Sequence, residues 1–240
     1  MSTVDPVKAY FAERSNDVTP ATARHAAQVI HAALSHDPDV TKRCSSCLSD
    51  SELQRAGRFA KLADRTQYIQ RRAFRRYCGA LALGTSRPLA EIDFEETPNG
   101  RPRLDQLPDY CFSFSSCRLG FLGAWSRTQG IGVDIEDETR DPGAAALAGQ
   151  FFSASEAGIV SESSTGVNPA AFFRLWCLKE SALKSIGQGL PYGLDAFAFQ
   201  LLPDLRVTHA PDEHGGTEKF AAHLFEGTGC CAAMVLRKTA

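Results

Sequence analysis

The run Gly132-Val-Asp-Ile-Glu136 is the segment of this sequence that most clearly suggests chemistry. Because successive side chains of a strand point to opposite faces, Asp134 and Glu136 share one face, and the apolar residues between and beside them share the other. Two residues along a strand span about 7 Å, so both carboxylates can reach one hard cation such as Mg²⁺. The simpler alternative, which the spacing alone favours, is a half-solvated strand with its acidic side chains in water.

A second candidate segment, 172–184, has apolar residues at helical spacing and places Trp176, Glu180 and Lys184 one turn apart. On periodicity alone, Glu180 and Lys184 would form an ordinary exposed ion pair worth about 0.2–0.5 kcal/mol. The pair lies, however, at the edge of an apolar face that contains a tryptophan, where a fully solvated pair has little reason to be. The segment therefore offers a carboxylate and an ammonium group to a site formed with the strand.

Residues 52–76 form a strongly basic run. Eight Arg and Lys residues stand against Glu52 and Asp64, which gives a local charge of +6 in a chain whose formal charge is −2. Arginine matches phosphate oxygens well, so the run predicts a site for a multiply charged phosphate ligand, with a solvated helix face as the alternative. A nucleic-acid site is disfavoured, because the neighbouring aromatic residues fit a buried helix stripe. The basic residues are Arg55, Arg58, Lys61, Arg65, Arg71, Arg72, Arg75 and Arg76.

The composition excludes several classes of protein. With 240 residues, 43% hydrophobic and 22% charged, the chain has ample material for a packed core and is not collagenous, low-complexity or coiled-coil. Its longest apolar stretches fall far short of the ~20 residues that span a bilayer, so no membrane helix is expected. The first residues lack the basic and apolar regions of a secretion signal, which predicts a cytoplasmic protein.

Eight cysteines are too few for a disulfide framework in a chain of this length, so most are expected to be reduced core residues. The adjacent Cys230 and Cys231 should point to opposite faces of a strand. Cys44 and Cys47 form one CxxC pair downstream of His31 and His36, which leaves a zinc site as an alternative. No second CxxC supports it.

Helices followed by strands occur twice along the chain. The pattern predicts a helix over 21–34, two helices within 49–83 and further helices within 144–186. It predicts strands over 89–94, 110–114, 121–125, 131–136, 196–201, 219–225 and 230–236. This order indicates the α+β class, built from two related halves that divide near Gly130.

Four motifs occur in a fixed order: Gly132-Val-Asp-Ile-Glu136, Phe151-Phe-Ser, Trp176-Cys-Leu-Lys-Glu-Ser-Ala-Leu-Lys184 and Gly187-Gln-Gly-Leu190. Their order and spacing resemble the signature of the surfactin-type 4′-phosphopantetheinyl transferases. Each motif is weak alone, but the ordered set is specific. The resemblance extends upstream to Asn99-Gly-Arg-Pro102 and to the basic run, and it covers roughly Leu48 to Leu201.

The resemblance implies a fold and an activity. The implied fold is a pseudo-twofold α+β monomer that binds coenzyme A and Mg²⁺ in a cleft between its halves. Residues 1–47 would be an N-terminal helical extension, 48–129 the first half, and 130–240 the second half with the metal-binding motifs. Such enzymes, of the holo-acyl-carrier-protein synthase type, transfer 4′-phosphopantetheine from coenzyme A to a serine of an apo acyl or peptidyl carrier protein, as in secondary metabolism, and release adenosine 3′,5′-bisphosphate.

The resemblance also implies residue roles. Mg²⁺ would be held by Asp134, Glu136 and Glu180. Glu180, Lys184 and Asp134 would be catalytic, with Glu180 accepting the serine proton and Lys184 neutralising phosphate charge. Coenzyme A would contact residues from both halves, namely Arg55, Arg58, Arg65, Thr66, Arg101, Pro102, Ser115, Ser116, Lys179 and Lys184.

One motif departs from the family. Members usually carry a Ser-His pair near the phosphates, whereas this chain has Ser115 and Ser116 there. A hydroxyl donates a hydrogen bond to phosphate but carries no positive charge. We expect Arg118, two residues on, to supply that charge.

Three functional classes are compatible with the sequence. The intact set of Asp134, Glu136, Glu180 and Lys184 favours an active transferase. The missing histidine favours a catalytically weakened protein of the same fold that binds coenzyme A or a carrier. An unrelated Mg²⁺-dependent phosphodiesterase or nuclease is the third class. The expected carrier partner is a small acidic helical domain, with no nucleic-acid or membrane partner.

Overall fold

A computed structural model describes residues 5–127, 129–140, 142–161, 167–226 and 229–238. The first half of the chain contains four helices and six strands in these ranges, in the order α1 Pro6–Arg14, β1 Ser15–Asp17, β2 Gln28–Ala33, α2 Pro38–Ser45, α3 Asp50–Gly57, α4 Leu62–Leu83, β3 Glu95–Glu96, β4 Pro102–Arg103, β5 Cys111–Cys117 and β6 Gly120–Ser126. The second half follows with β7 Gln129–Asp137, α5 Ala144–Phe151, α6 Ala154–Ser161, α7 Pro169–Ser185, β8 Ala198–Gln200, β9 Arg206–His209, β10 Phe220–Glu226 and β11 Cys230–Lys238.

The fold is α+β, as the sequence predicts, and each half packs one long helix against an antiparallel sheet. The first sheet has the strand order β1-β2-β6-β5, and α4 packs against it. The second has the order β10-β11-β7, and α7 packs against it. Among the described residues, no helix is both long and apolar enough to cross a lipid bilayer.

The two sheets meet where β5 lies beside β7. The backbone N–H of Val133 donates to Ser113 Oγ at 3.0 Å, and the hydroxyl of Ser115 donates to Asp134 Oδ1 at 2.7 Å. Apolar side chains from both sheets, including Val29 and Val133, form a buried cluster behind this contact. The two halves therefore share a hydrophobic cluster, and these contacts fix the position of β5 relative to β7.

The helix predicted over 21–34 is wrong, because residues 28–33 form β2, an inner strand of the first sheet. Val29 faces the cluster between the sheets, whereas Ile30 and Ala32 face the core of the first half. A strand buried on both faces shows no polar alternation, so its apolar run looks like part of a helix. Residues 1–47 are therefore not purely helical; the boundaries at 48 and 130 stay predictions.

The strand predicted over 89–94 is also not formed. Leu89, Ile92 and Phe94 are buried in the first core, but residues 89–91 make a 3-10 turn. The Asn99-Gly100 turn instead connects the short strands β3 and β4. The remaining predicted strands are present, and β9, which the sequence did not reveal, pairs with β8.

Lys179 stabilises the second half from within. Its side chain is fully buried, and its ammonium group lies 2.8 Å from Glu156 Oε2. The same nitrogen donates to the carbonyl oxygens of Leu194 and Phe197. Since these contacts use all three of its donors inside the protein, the structure contradicts the prediction that Lys179 binds coenzyme A.

The backbone of helix α7 packs directly against the backbone of β7, and two glycines of β7 make this close contact possible. A Cβ atom on Gly132 would lie 1.9 Å from the carbonyl oxygen of Ser181 and 2.6 Å from the backbone nitrogen of Ser185. A Cβ atom on Gly130 would lie 2.3 Å from the Ser185 oxygen. The first glycine of the Gly132–Glu136 motif is thus required by packing.

We expect Gly132→Ala to lower the free energy of unfolding by about 2–3 kcal/mol, because strand and helix must separate to admit the methyl group. Gly149→Ala is the matched control. Gly149 lies exposed in α5 with nothing within 4 Å of an added Cβ, so the change should raise stability by up to about 1 kcal/mol. Chemical denaturation followed by circular dichroism measures both. Equal stability of the two variants would contradict the packing account.

Candidate functional site

A cleft of about 470 Å³ lies between the two halves, and five of the predicted site residues line it. Its walls come from α4, the β3–β4 hairpin, β5 and the end of α7. The residues that line it are Arg71, Arg75, Glu96, Asn99, Gly100, Arg101, Pro102, Phe112, Ser113, Phe114, Ser115, Ser116, Lys184, Gly187, Gln188 and Gly189. The structure thus brings together Arg101, Pro102, Ser115, Ser116 and Lys184, as the sequence predicts.

Arg71 and Arg75 are the cationic cleft residues that sequence reasoning did not select. They lie one turn apart on α4, so the i, i+4 spacing within the basic run was the available signal. The guanidinium of Arg75 packs over the ring of Phe114, 5.1 Å from its centre. Burial, followed by the charge of Arg72, lowers the pKa of Arg75 to about 10. The Nε atoms of Arg71 and Arg75 are buried without a hydrogen-bond partner. This wall therefore holds positive charge that the described residues only partly compensate.

Arg101 extends the positive wall from the β3–β4 hairpin. Its Nη2 donates to the carbonyl oxygen of Ile131 at 3.4 Å, while its Nε is buried without a partner. Gly187 follows α7 with a φ of +74°, and an added Cβ would lie 3.3 Å from Arg101 Nη1. The glycine of the last motif thus leaves room for the arginine.

Lys184 connects the cleft to the acidic strand. Its Nζ lies 2.7 Å from Asp134 Oδ1, 3.2 Å from the carbonyl oxygen of Val133 and 3.6 Å from Glu180 Oε2. Burial acts to lower the pKa of Lys184, but the charges of Asp134 and Glu180 outweigh it and raise the pKa. The ammonium group therefore stays charged at neutral pH.

Asp134, Glu136 and Glu180 lie close enough for their charges to interact. Burial, then the charge of Asp134, raises the pKa of Glu136 to about 7. Burial also raises the pKa of Glu180, with a further contribution from Asp134 that Lys184 opposes. Glu136 pairs with Arg140 at 2.8 Å. The strand thus places both its carboxylates on the face turned away from the apolar cluster.

The donor chemistry of these three carboxylates suits a hard divalent cation. Within the described ranges, no three His, Cys, Asp or Glu side chains are already arranged around a common metal position. However, Oδ2 of Asp134 is buried without a hydrogen-bond partner among the described residues, whereas Oδ1 is held by Lys184 and Ser115. An unpartnered buried carboxylate oxygen is costly, and a cation would satisfy it.

The structure gives no support to the expectation that Arg118 supplies the missing charge. The Arg118 guanidinium is held by the Asp137 carboxylate and lies 2.5 Å from Thr139 Oγ1, so it is not among the residues that line the cleft. Ser115 and Ser116 do line the cleft. Lys184 Nζ lies 3.5 Å from Ser115 Oγ, and Arg71 and Arg75 line the same cleft.

The other predicted basic residues lie outside the cleft lining. Arg55 and Arg58 line a separate surface hollow on α3, and Arg65 and Thr66 lie in the first turn of α4. Arg55 is nevertheless near the cleft wall, since its charge contributes to lowering the pKa of Arg71. Their contact with coenzyme A stays a prediction.

Cys44 and Cys47 are buried in the core of the first half. Burial raises the pKa of each thiol to about 12, which opposes the thiolate form that zinc binds. Neither thiol belongs to a metal-binding group among the described residues. The structure therefore gives the zinc alternative no support.

Comparison with known proteins extends these observations. A family model for the 4′-phosphopantetheinyl transferase superfamily matches residues 130–234. The 4′-phosphopantetheinyl transferase psf-1 of Bacillus pumilus is 34% identical over 127 residues, which cover 53% of each chain. The 4′-phosphopantetheinyl transferase Sfp of Bacillus subtilis (strain 168) is 33% identical over 126 residues, 52% of this chain and 55% of the relative.

A phosphopantetheinyl transferase of Thraustochytrium sp. aligns more widely, with 30% identity over 180 residues, 68% of this chain and 61% of the relative. The chain spans about half the length of the Bacillus relatives that it matches. The residues matched by the family model include nearly all of β7 and all of α7. Residues 130–234 thus match the 4′-phosphopantetheinyl transferase superfamily, and the Bacillus relatives support a family of the surfactin type.

Proposed function

We propose that the chain transfers 4′-phosphopantetheine from coenzyme A to a serine of an apo acyl or peptidyl carrier protein, in a Mg²⁺-dependent reaction. The observation that carries this proposal is the Lys184–Asp134 contact at 2.7 Å, where the cationic cleft reaches the carboxylates. A ligand with several phosphates and a divalent cation needs both kinds of charge side by side. The names of the matched relatives agree with this reaction.

The arginines of the cleft would bind the phosphates of coenzyme A. Within the described part of the chain, Arg71, Arg75 and Arg101 each have a buried Nε without a partner, so each can donate at least one further hydrogen bond. Hydrogen bonds from a guanidinium to phosphate are charge-assisted and stronger than neutral ones. These arginines would supply the positive charge that Ser116, where the family usually has histidine, cannot carry.

The carboxylates would hold the metal. Asp134 offers its unpartnered Oδ2, and Glu136 and Glu180 offer further oxygens. When bound there, Mg²⁺ supplies neutralisation of the charge that develops on the phosphoryl oxygens. Lys184 contributes the same kind of stabilisation from the protein side.

The chemical step needs a proton acceptor. The serine oxygen forms a bond to the β-phosphorus while the pyrophosphate bridge breaks and adenosine 3′,5′-bisphosphate leaves. We assign the serine proton to the Glu180 carboxylate, directly or through a water, since Glu180 is half-buried beside Lys184. The enzyme would be of the holo-acyl-carrier-protein synthase type, acting as a cytoplasmic monomer without nucleic-acid or membrane partners. The basic run would attract an acidic carrier.

We expect Glu180→Gln to reduce transfer at least about 100-fold, because the amide cannot accept the serine proton. Intact mass of a panel of apo carriers after incubation with coenzyme A and Mg²⁺ measures transfer as a gain of ~340 Da. Glu218→Gln, an exposed change in the same half, should leave the rate unchanged. If the unaltered chain binds coenzyme A but modifies no carrier, the weakened binding protein is the correct class.

We expect Arg75→Gln to weaken coenzyme A binding at least about tenfold, because a charge-assisted hydrogen bond is lost. Arg87→Gln, an exposed arginine outside the cleft, is the matched control and should bind normally. Titration calorimetry gives both dissociation constants, and thermal melting verifies that Arg75→Gln remains folded. An unchanged dissociation constant in a folded variant would remove Arg75 from the binding site.

A further inference from the structure

Two cysteines outside the cleft join the halves of the molecule. Cys117 is the last residue of β5 in the first half, and Cys230 is the first residue of β11 in the second. Although 113 residues separate them in sequence, their Sγ atoms lie 3.8 Å apart and share a hydrogen bond. All eight cysteines of the chain are free thiols. The contact is therefore a pair of thiols that spans the interface between the sheets.

The pair is accessible from one side. Cys117 is buried, but Cys230 is only half-buried and lines a small cavity of about 120 Å³. His31 lines the same cavity, whose other walls are apolar. Burial lowers the pKa of His31, so its imidazole is neutral at pH 7. Cys230 is thus the more exposed thiol of the pair.

The shared hydrogen bond affects the two thiols in opposite directions. It lowers the pKa of Cys117 and raises the pKa of Cys230, so the first thiolate of the pair forms on Cys117. Both residues lie at strand ends, where fewer ladder hydrogen bonds hold the backbone. A disulfide needs the sulfur atoms to move from 3.8 Å to about 2.0 Å apart, a shift that side-chain rotation and small strand movements can supply.

We propose that Cys117 and Cys230 form a reversible disulfide that links the two halves when the protein meets a small disulfide oxidant. The chemistry balances with oxidised glutathione as the co-reactant. One thiol of the pair loses its proton to solvent, and its thiolate attacks one glutathione sulfur, forms a mixed disulfide and expels the first glutathione. The other thiol then loses its proton, attacks the protein sulfur of that mixed disulfide and expels the second glutathione. The two protein thiols lose two electrons and two protons, and one oxidised glutathione becomes two reduced molecules.

The disulfide would stabilise the folded chain and would also restrain β5. It closes a loop of more than one hundred residues, which restricts the unfolded chain and so stabilises the folded one. It also anchors the end of β5, the strand that carries Ser115 and Ser116 into the cleft. This inference concerns the thiols alone and is independent of the transferase activity.

The test is intact mass and peptide mapping of the full chain after incubation with oxidised glutathione. We expect a loss of about 2 Da per chain and a cross-linked peptide that contains Cys117 and Cys230. Cys117→Ser and Cys230→Ser should each abolish the cross-link. Cys111→Ser replaces another half-buried cysteine of β5 and should retain it. Reduced glutathione should restore the original mass.

Thermal melting provides a second readout. The oxidised protein should melt about 5 °C or more above the reduced protein, and Cys117→Ser should show no such shift. A stable glutathione adduct of about 305 Da without a cross-link would overturn the proposal. So would a cross-link between other cysteines, or a bridged form that melts below the reduced protein.

Discussion

The close contact between α7 and β7 determines the geometry of the whole site. Because Gly130 and Gly132 carry no side chain, the backbone of the helix lies directly on the strand. Lys184 can then reach Asp134 at 2.7 Å, and Glu180, one turn earlier, joins the same charged group. Any larger residue at these positions would push the helix away and separate the ammonium from the carboxylate. The close packing of α7 on β7 is thus also what places the charged groups of the site together.

The cleft concentrates charge that the protein itself does not neutralise. Arg71, Arg75 and Arg101 each hold a buried nitrogen without a partner, and Asp134 holds a buried oxygen without one. Among the described residues, one further such atom, Nε of Arg76, lies outside the cleft lining. Such groups cost stability in the folded chain, so the accumulation of the other four at the cleft and beside it indicates a ligand that satisfies them. Phosphates for the arginines and a divalent cation for the carboxylates meet that requirement together. The rest of the fold, with its apolar cluster between the sheets, holds these walls in place.

The sequence predicted those parts of the protein in which one pattern has one structural meaning. Alternation identified β7 and the shared face of Asp134 and Glu136, and helical spacing identified α7. The apolar pattern predicted a helix where β2 lies, because a strand buried on both faces has an apolar run like that of a buried helix. The motif predicted that Lys179 contacts coenzyme A. The residue next to Glu180 points in a different direction around the helix, however, and the Lys179 side chain enters the core. Arg75 was missed because the charge run does not show which face of α4 meets the cleft.

The central claim is that coenzyme A binds in the cleft between the halves, with its phosphates between the arginine wall and Lys184. A crystal structure of the chain with coenzyme A and Mg²⁺ tests this most directly. The account predicts phosphate oxygens within about 3 Å of Arg75 and Lys184 and a cation beside Asp134. Coenzyme A bound instead in the surface hollow of Arg55 and Arg58, with the cleft vacant, would contradict it.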